Sequence, residues 1–163
     1  MVEIPYGKRM RPRYWRFLII TAVGIGLVAF ALHVWWLQVV LLLVGVLNLV
    51  VCVGALYVLH KQPHSVSGDE LRLRQLGFFD WRLPTADLAA AQVAERGHQG
   101  RRTVEVVGDA VVIQSLAKTN VSVPFREPQL VDLGRTGAKQ VRRVEFWADD
   151  PEAAVREINA RLT

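Results

Sequence analysis

The sequence predicts an α+β chain, with a transmembrane helical hairpin first, about seven antiparallel strands after it, and one closing helix. Three observations carry this. Residues 17–60 form a 44-residue stretch without Asp, Glu, Lys or Arg. After Gly68 the pattern turns to alternation of apolar and polar residues, the period of a strand. After Asp150-Pro151 it turns again, to an apolar stripe at helical spacing.

The N-terminal segment comes first. Residues 1–16 hold Lys8, Arg9, Arg11, Arg13 and Arg16 against Glu3, a net of +4. The whole chain has 20 Lys and Arg and 15 Asp and Glu, so 15 basic and 14 acidic residues remain after residue 60. The basic balance therefore belongs to the membrane flank. A nearly neutral remainder argues against a nucleic-acid partner, which calls for a basic domain.

As one helix, the uncharged stretch would rise roughly 66 Å, about twice the ~30 Å hydrocarbon core. Two spans joined at His33-Val34-Trp35-Trp36-Leu37-Gln38 fit that length, with polar His and Gln and interfacial Trp at the turn. The stretch is too long for the apolar part of a signal peptide. Basic residues flank both outer ends and none lies in the turn. The positive-inside rule then puts both termini, and the domain behind the hairpin, in the cytoplasm.

With the turn near residues 34–35, Thr21 falls level with Asn48 and Gly24 level with Gly45. Phe17, Thr21, Gly24 and Val28 then share one face, and Leu41, Gly45, Asn48 and Cys52 the other. Small residues allow close helix approach, and a midspan Asn seeks a polar partner, worth about 0.6–2 kcal/mol. Three readings stay open for Asn48: packing within the hairpin, contact with a partner membrane protein, and a transport path.

Residues 61–68 read as a linker broken by Pro63 and Gly68. Glu70–Gln75 and Phe78–Leu83 then form a hairpin that places Arg74 across from Asp80. A weaker strand follows over about Leu88–Glu95, or else a short helix continuing from Thr85. Thr103–Val107 and Ala110–Leu116 pair through Gly108-Asp109, a tight-turn sequence. In Asn120–Arg126, Pro124 lacks an N–H and marks an edge strand or a bulge. The last strand covers about Val141–Trp147. Asp150 caps a helix that begins at Pro151 and buries Ala154, Val155, Ile158 and Leu162. The resulting domains are 1–16, a basic cytoplasmic N-terminus; 17–60, the hairpin; 61–68, the linker; and 69–163, a domain expected to fold alone from about Ser67.

Chemistry is sparse. His33, His60, His64 and His98 are scattered, and the lone Cys52 sits in an apolar span, so neither a metal nor a cofactor is expected. No phosphate-binding Gly loop or G-x-S-x-G motif occurs, and no enzyme is expected. Arginines stand out instead. Arg9, Arg11, Arg13 and Arg16 lie at headgroup level, as a topology signal or as contacts to anionic lipid. Arg72, Arg74 and Arg82 share one outer face, either solvated or offered to lipid or protein. Arg101-Arg102 and Arg142-Arg143 are adjacent pairs.

The stretches Asp69-Glu-Leu-Arg-Leu-Arg, Phe78-Phe-Asp-Trp-Arg-Leu-Pro84 and Val144-Glu-Phe-Trp-Ala-Asp-Asp-Pro151 carry a resemblance. The chain resembles pleckstrin-homology-like (PH-like) domains, and is similar to membrane-anchored bacterial members with two N-terminal spans, including actinobacterial ones. The resemblance implies a bent antiparallel barrel plugged at one end by the C-terminal helix, and it carries no catalytic residues. The function expected is a non-enzymatic membrane-tethered interaction module, as accessory subunit or assembly factor of a larger membrane complex. The alternative is a PH-like domain that binds or senses anionic lipid. The partners expected are the lipid bilayer and a membrane protein.

Overall fold

The computed structural model describes residues 2–8, 11–31, 35–61, 63–75, 79–100, 102–133 and 137–162. Arg9, His33, Val34, Phe78 and Arg101, singled out in the sequence, lie outside the described residues. In chain order the elements are β1 (Val2–Ile4), α1 (Arg11–Ala31), α2 (Trp35–Lys61), β2 (His64–Val66), β3 (Glu70–Gln75) and β4 (Phe79–Pro84). A 3-10 turn (Thr85–Asp87) leads to β5 (Gln92–Gly97), β6 (Val104–Val107), β7 (Ala110–Ile113), β8 (Lys118–Asp132), β9 (Ala138–Phe146) and α3 (Pro151–Asn159).

The chain is a mixed α+β structure, and its strands form two sheets in the orders β1-β2-β3-β4 and β5-β8-β9-β7-β6. This corrects the expectation of a closed, wholly antiparallel barrel of about seven strands. The described strands number nine, and β7 pairs with β9 in parallel. The parallel pairing has a physical reason. Val111 and Ile113 lie level with Val144 and Phe146, so all four apolar side chains reach the core in phase. Both edges of β7, all of whose residues are buried, are thereby covered.

The core lies between the sheets and under α3. It includes Leu71, Leu73 and Leu83 from the first sheet, and Val111, Val121, Val123, Val144 and Phe146 from the second. From α3 it takes Ala154 and Ile158. The β3–β4 hairpin has the expected register, with Arg74 opposite Asp80. Gly108 adopts φ +60° in the turn between β6 and β7, as that turn requires. The 3-10 turn takes Thr85–Asp87, and the weak strand begins at Gln92, four residues later than expected. Pro124 lies inside a central strand and marks an irregularity: the β8–β9 register shifts between Pro124 and Gln129. Asp150 Oδ1 accepts from Ala153 N at 2.9 Å, the expected cap.

The N-terminus departs most from expectation. Val2–Ile4 is a strand, and it pairs with His64–Val66 of the expected linker, Ile4 opposite His64. Ile4 and Tyr6 are buried, as are His64 and Val66. The β domain is therefore built from both sides of the helical pair and does not begin at Ser67.

Among the described residues one helix is long and apolar enough to cross a membrane, within α2 from Trp35 to Tyr57. The expectation of two such helices is not met by α1. Arg11, Arg13 and Arg16 occupy its first turns, and the apolar run from Phe17 to Ala31 rises only about 22 Å. The expected turn is also shorter, because Trp35, Trp36, Leu37 and Gln38 all lie within α2.

The two helices pack on each other, with Leu18, Thr21 and Ile25 of α1 facing Gly45 and Asn48 of α2 across one groove. On α1 the glycine was misplaced: a Cβ at Gly24 would meet nothing within 4 Å, whereas one at Gly45 would meet Ile25 Cδ1 at 3.3 Å. Ile25, a large residue, fills the notch that Gly45 leaves. Cysteines at Ile25 and Gly45, with Cys52 changed to Ser, should therefore cross-link within one chain on oxidation. Cysteines at Gly24 and Gly45 should stay reduced on non-reducing gels, and the reverse result would rotate α1 by one residue.

Candidate functional site

The chemistry-bearing residues gather at the junction between the helices and the β domain. Tyr6, just after β1, stacks on the His64 ring (centroids 4.5 Å apart, planes at 22°). Phe146 of β9 meets the same ring edge-on at 5.2 Å. His64 Nδ1 accepts from Arg74 N at 3.1 Å, and its other ring nitrogen donates to the backbone of Trp147. The neutral tautomer protonated at Nε2 thus satisfies both nitrogens inside the core. The linking backbone closes the joint: Asp149 N donates to Pro5 O (2.8 Å) and Lys8 N to Asp149 Oδ2 (2.9 Å).

Burial lowers the His64 pKa from 6.5 to about 3, and the hydrogen bond to Trp147 opposes that only in part. In the unfolded chain the imidazole binds a proton as the pH falls through 6.5, whereas in the folded chain it does so only near 3. The stability that this group contributes is complete above pH 6.5 and is lost between there and 3, by up to ~1.4 kcal/mol per pH unit. Thermal unfolding in detergent should show a midpoint that falls from pH 7 to 5. His64→Phe should flatten that slope while lowering the midpoint at pH 7, because the Arg74 N–H and the Trp147 backbone lose their partner. An unchanged slope in His64→Phe would remove His64 as its source.

Beside the joint, Ser115 and Lys118 exchange backbone hydrogen bonds around Leu116-Ala117 (2.9 and 3.2 Å). Both central residues are left-handed, φ 52° and 62°, where Asn-Gly is the usual pair. Such backbone costs non-glycine residues roughly 1–2 kcal/mol each. The offset is packing, since Leu116 joins Tyr6, Tyr14 and Trp147 in one cluster. A cavity of about 410 Å³ opens next to it, lined by Arg13, Tyr14, Phe17 and Leu116. Arg11, Arg13 and Arg16 are exposed on the same helix end.

The expected arginine face is present on the outer side of the first sheet. Arg72 stands opposite Arg82 and Arg74 opposite Asp80. Arg72 grips the Asp80 carboxylate with two donors, Nε at 2.7 Å and a terminal nitrogen, and Arg74 Nε is 4.0 Å away. The Arg72 hydrogen bonds hold the Asp80 carboxyl below its usual range, and they raise the Arg72 pKa. Arg82 is exposed.

On the outer face of the second sheet, Glu145 is 2% exposed. It receives Arg96 at 2.8 Å and Arg143 at 2.9 Å, and His98 Nε2 lies 3.6 Å away. Arg143 also pairs with Asp109, and His98 with Thr119 Oγ1 at 2.9 Å. Both arginines reach the same carboxylate oxygen, Oε1, which fixes this buried carboxylate between two cations. Among the described residues no three His, Cys, Asp or Glu side chains converge as metal ligands.

Between α1 and α2, Thr21, Ile25, Gly45 and Asn48 line a groove of about 190 Å³ with apolar neighbours. Thr21 and Asn48 thus share one groove, as their matched depth predicts, and Asn48 Oδ1 takes the Cys52 thiol at 3.6 Å. Sequence reasoning missed the His64 joint, the Leu116 turn and the Glu145 network. The signal for the first was Val2, Ile4 and Tyr6, alternating at period two ahead of the basic run. No family model, curated protein or solved structure matches this chain.

Proposed function

We propose that this chain is a non-enzymatic, membrane-tethered interaction module, an accessory subunit or assembly factor of a larger complex in the cytoplasmic membrane. In this reading α1 and α2 form a two-span hairpin, both termini lie in the cytoplasm, and the domain is an open PH-like variant. One observation carries it: the pairing of β1 with β2, which brings together the chain entering α1 and the chain leaving α2. A helical pair whose outer ends meet in one sheet has both ends on one side of the bilayer. Only residues 5–10 and 62–63 separate sheet from helices, and connections this short support a domain held close to the membrane surface. Such placement suits a neighbour in the same membrane better than a diffusing substrate. The absence of charge over residues 17–60 supports two spans, because masking even one charge at mid-bilayer costs about 2.5–3.5 kcal/mol.

A second reading has its own observation. The cavity at Arg13, Tyr14, Phe17 and Leu116 combines a cation with an apolar wall at headgroup level, which suits an anionic phospholipid.

Purification in mild detergent tests both. A membrane protein retained at one-to-one stoichiometry supports the first reading. Anionic lipid retained by the protein and lost in Arg13→Gln, with no protein partner, supports the second. Reporter fusions after Thr163 should read cytoplasmic, and an external reading would overturn the orientation for either.

A further inference from the structure

The cavity at Arg13, Tyr14, Phe17 and Leu116 is a gap between two parts of the chain. Three of its lining residues come from the first turns of α1, and the fourth from the turn between β7 and β8. Whatever fills it touches both. Its volume of about 410 Å³ exceeds what one or two waters take, at ~30 Å³ each in the liquid.

Arg13 is the one charged residue of the described lining, and no carboxylate stands beside it there. Its guanidinium is exposed, has no ion-pair or hydrogen-bond partner among the described residues, and stays charged at any working pH. The Tyr14 hydroxyl is likewise without a partner among the described residues. Lys118, next to the turn, is already held by Glu95 at 2.7 Å. The cavity therefore calls for an anion. Polarity runs in one order along α1: Arg13 precedes the uncharged stretch, and Phe17 opens it one turn later, about 6 Å deeper. A phospholipid has the same order, phosphate first and chain below it, whereas a free phosphate would meet only the cation.

The β7–β8 turn is strained where it meets the cavity. Leu116 and Ala117 hold φ 52° and 62° without a glycine, a backbone that persists where its surroundings over-determine it. Leu116 packs with Tyr6, Tyr14 and Trp147, yet it remains half-buried and borders the cavity. An apolar occupant covers more of Leu116, and so favours the turn conformation that presents it there.

We propose that one anionic phospholipid seats its phosphate on Arg13 and Tyr14 and a chain against Phe17 and Leu116, and that its binding locks the β7–β8 turn, and with it the β domain, onto α1. The proposal rests on the lipid reading of this cavity and adds what the lipid does there.

The test uses the full chain in uncharged detergent micelles, doped with phosphatidylglycerol or with phosphatidylcholine. A ligand that binds only the closed turn slows exchange through turn opening by the factor 1 + [L]/Kd. Phosphatidylglycerol at about ten times its Kd should thus slow hydrogen exchange at 115–118 roughly tenfold. Phosphatidylcholine, without net charge, and inorganic phosphate, without a chain, should leave those amides unchanged. Strand β4, which does not line the cavity, should respond to none of the three. Arg13→Gln should abolish the phosphatidylglycerol effect, and Arg142→Gln, an equal loss of charge at an exposed residue of β9, should retain it. Leu116→Asn with Ala117→Gly, which suits the turn but removes the apolar contact, should leave exchange at 115–118 independent of lipid. Equal slowing by phosphatidylcholine, or slowing that survives Arg13→Gln, would overturn the proposal. Equal slowing by inorganic phosphate would overturn it in favour of a soluble anion. If the protein retains phosphatidylglycerol and Arg13→Gln loses it, while exchange at 115–118 never changes, the lock is wrong and the lipid reading stands. If no phosphatidylglycerol is retained, both fall.

Discussion

Ile158→Asp should destabilise the β domain by roughly 4 kcal/mol or more, enough to unfold much of it at 37 °C. Ile158 is fully buried on the face of α3 that packs against β5 and β8. Burial of an isoleucine side chain contributes about 1.5–3 kcal/mol, and an unpaired carboxylate in its place adds a desolvation cost. The surroundings leave little room for escape. Asn159 fixes the next position by gripping both backbone groups of Ala91, at 2.7 and 3.0 Å. Ile158→Val should cost about 1 kcal/mol, and Asp150→Ala, which removes only the cap, a similar amount. Thermal unfolding followed by circular dichroism separates these. Were Ile158→Asp no worse than Asp150→Ala, α3 would not be the closure of this core.

The parts of this fold legible in the sequence are those whose cause is local. The β3–β4 register follows from alternation on both arms, the Gly108 turn from backbone chemistry, and the start of α3 from Asp150-Pro151. The illegible parts depend on partners far along the chain. β1 is three residues long and meets its partner about sixty residues later, across both helices. The basic residues behind it carry the louder signal, and three residues of alternation are too few to compete with it. His64 looked like linker because a buried imidazole is recognisable only by what surrounds it, and Tyr6, Phe146 and Trp147 come from opposite ends of the chain.

Asn120 was hidden for the same reason. It lay inside an expected strand, yet its amide grips Ala148 N and O at 2.8 and 2.7 Å, as a backbone would. Leu116-Ala117 was missed because its residues contradict its conformation: tertiary packing on Tyr6 and Trp147 overrides the turn preference. On α1, two glycines of similar depth suggested contact, but the helix phase turns Ile25 and not Gly24 toward Gly45.

The largest effect should come from the N-terminal strand. A chain from Ser67 to Thr163 should fail to fold, whereas residues 1–8 joined to Pro63–Thr163 through a flexible linker, in place of both helices, should fold cooperatively. The shorter chain lacks Ile4, Tyr6, His64 and Val66, all buried against the core. At about 1.5–3 kcal/mol for each large apolar side chain, the loss is comparable to the 5–15 kcal/mol that holds an ordinary domain. It also leaves β3 with an unpaired edge beside Leu71 and Leu73, and it strips the Asp149 and Trp147 backbones of their partners at Pro5 and His64. The joined chain restores these contacts. Lys8 N already sits on the Asp149 carboxylate and Ile4 lies opposite His64, so the ends to be bridged are close. A Gly-Ser linker of about ten residues has a typical span of roughly 17 Å, which suffices. In the full-length protein Tyr6→Ala is the single-site counterpart, with an expected cost of about 3 kcal/mol. Circular dichroism melts and dispersed amide resonances would report all three. A cooperative melt from Ser67–Thr163 alone would show that the strand before α1 is dispensable, and the domain would then be free to move relative to α1 and α2.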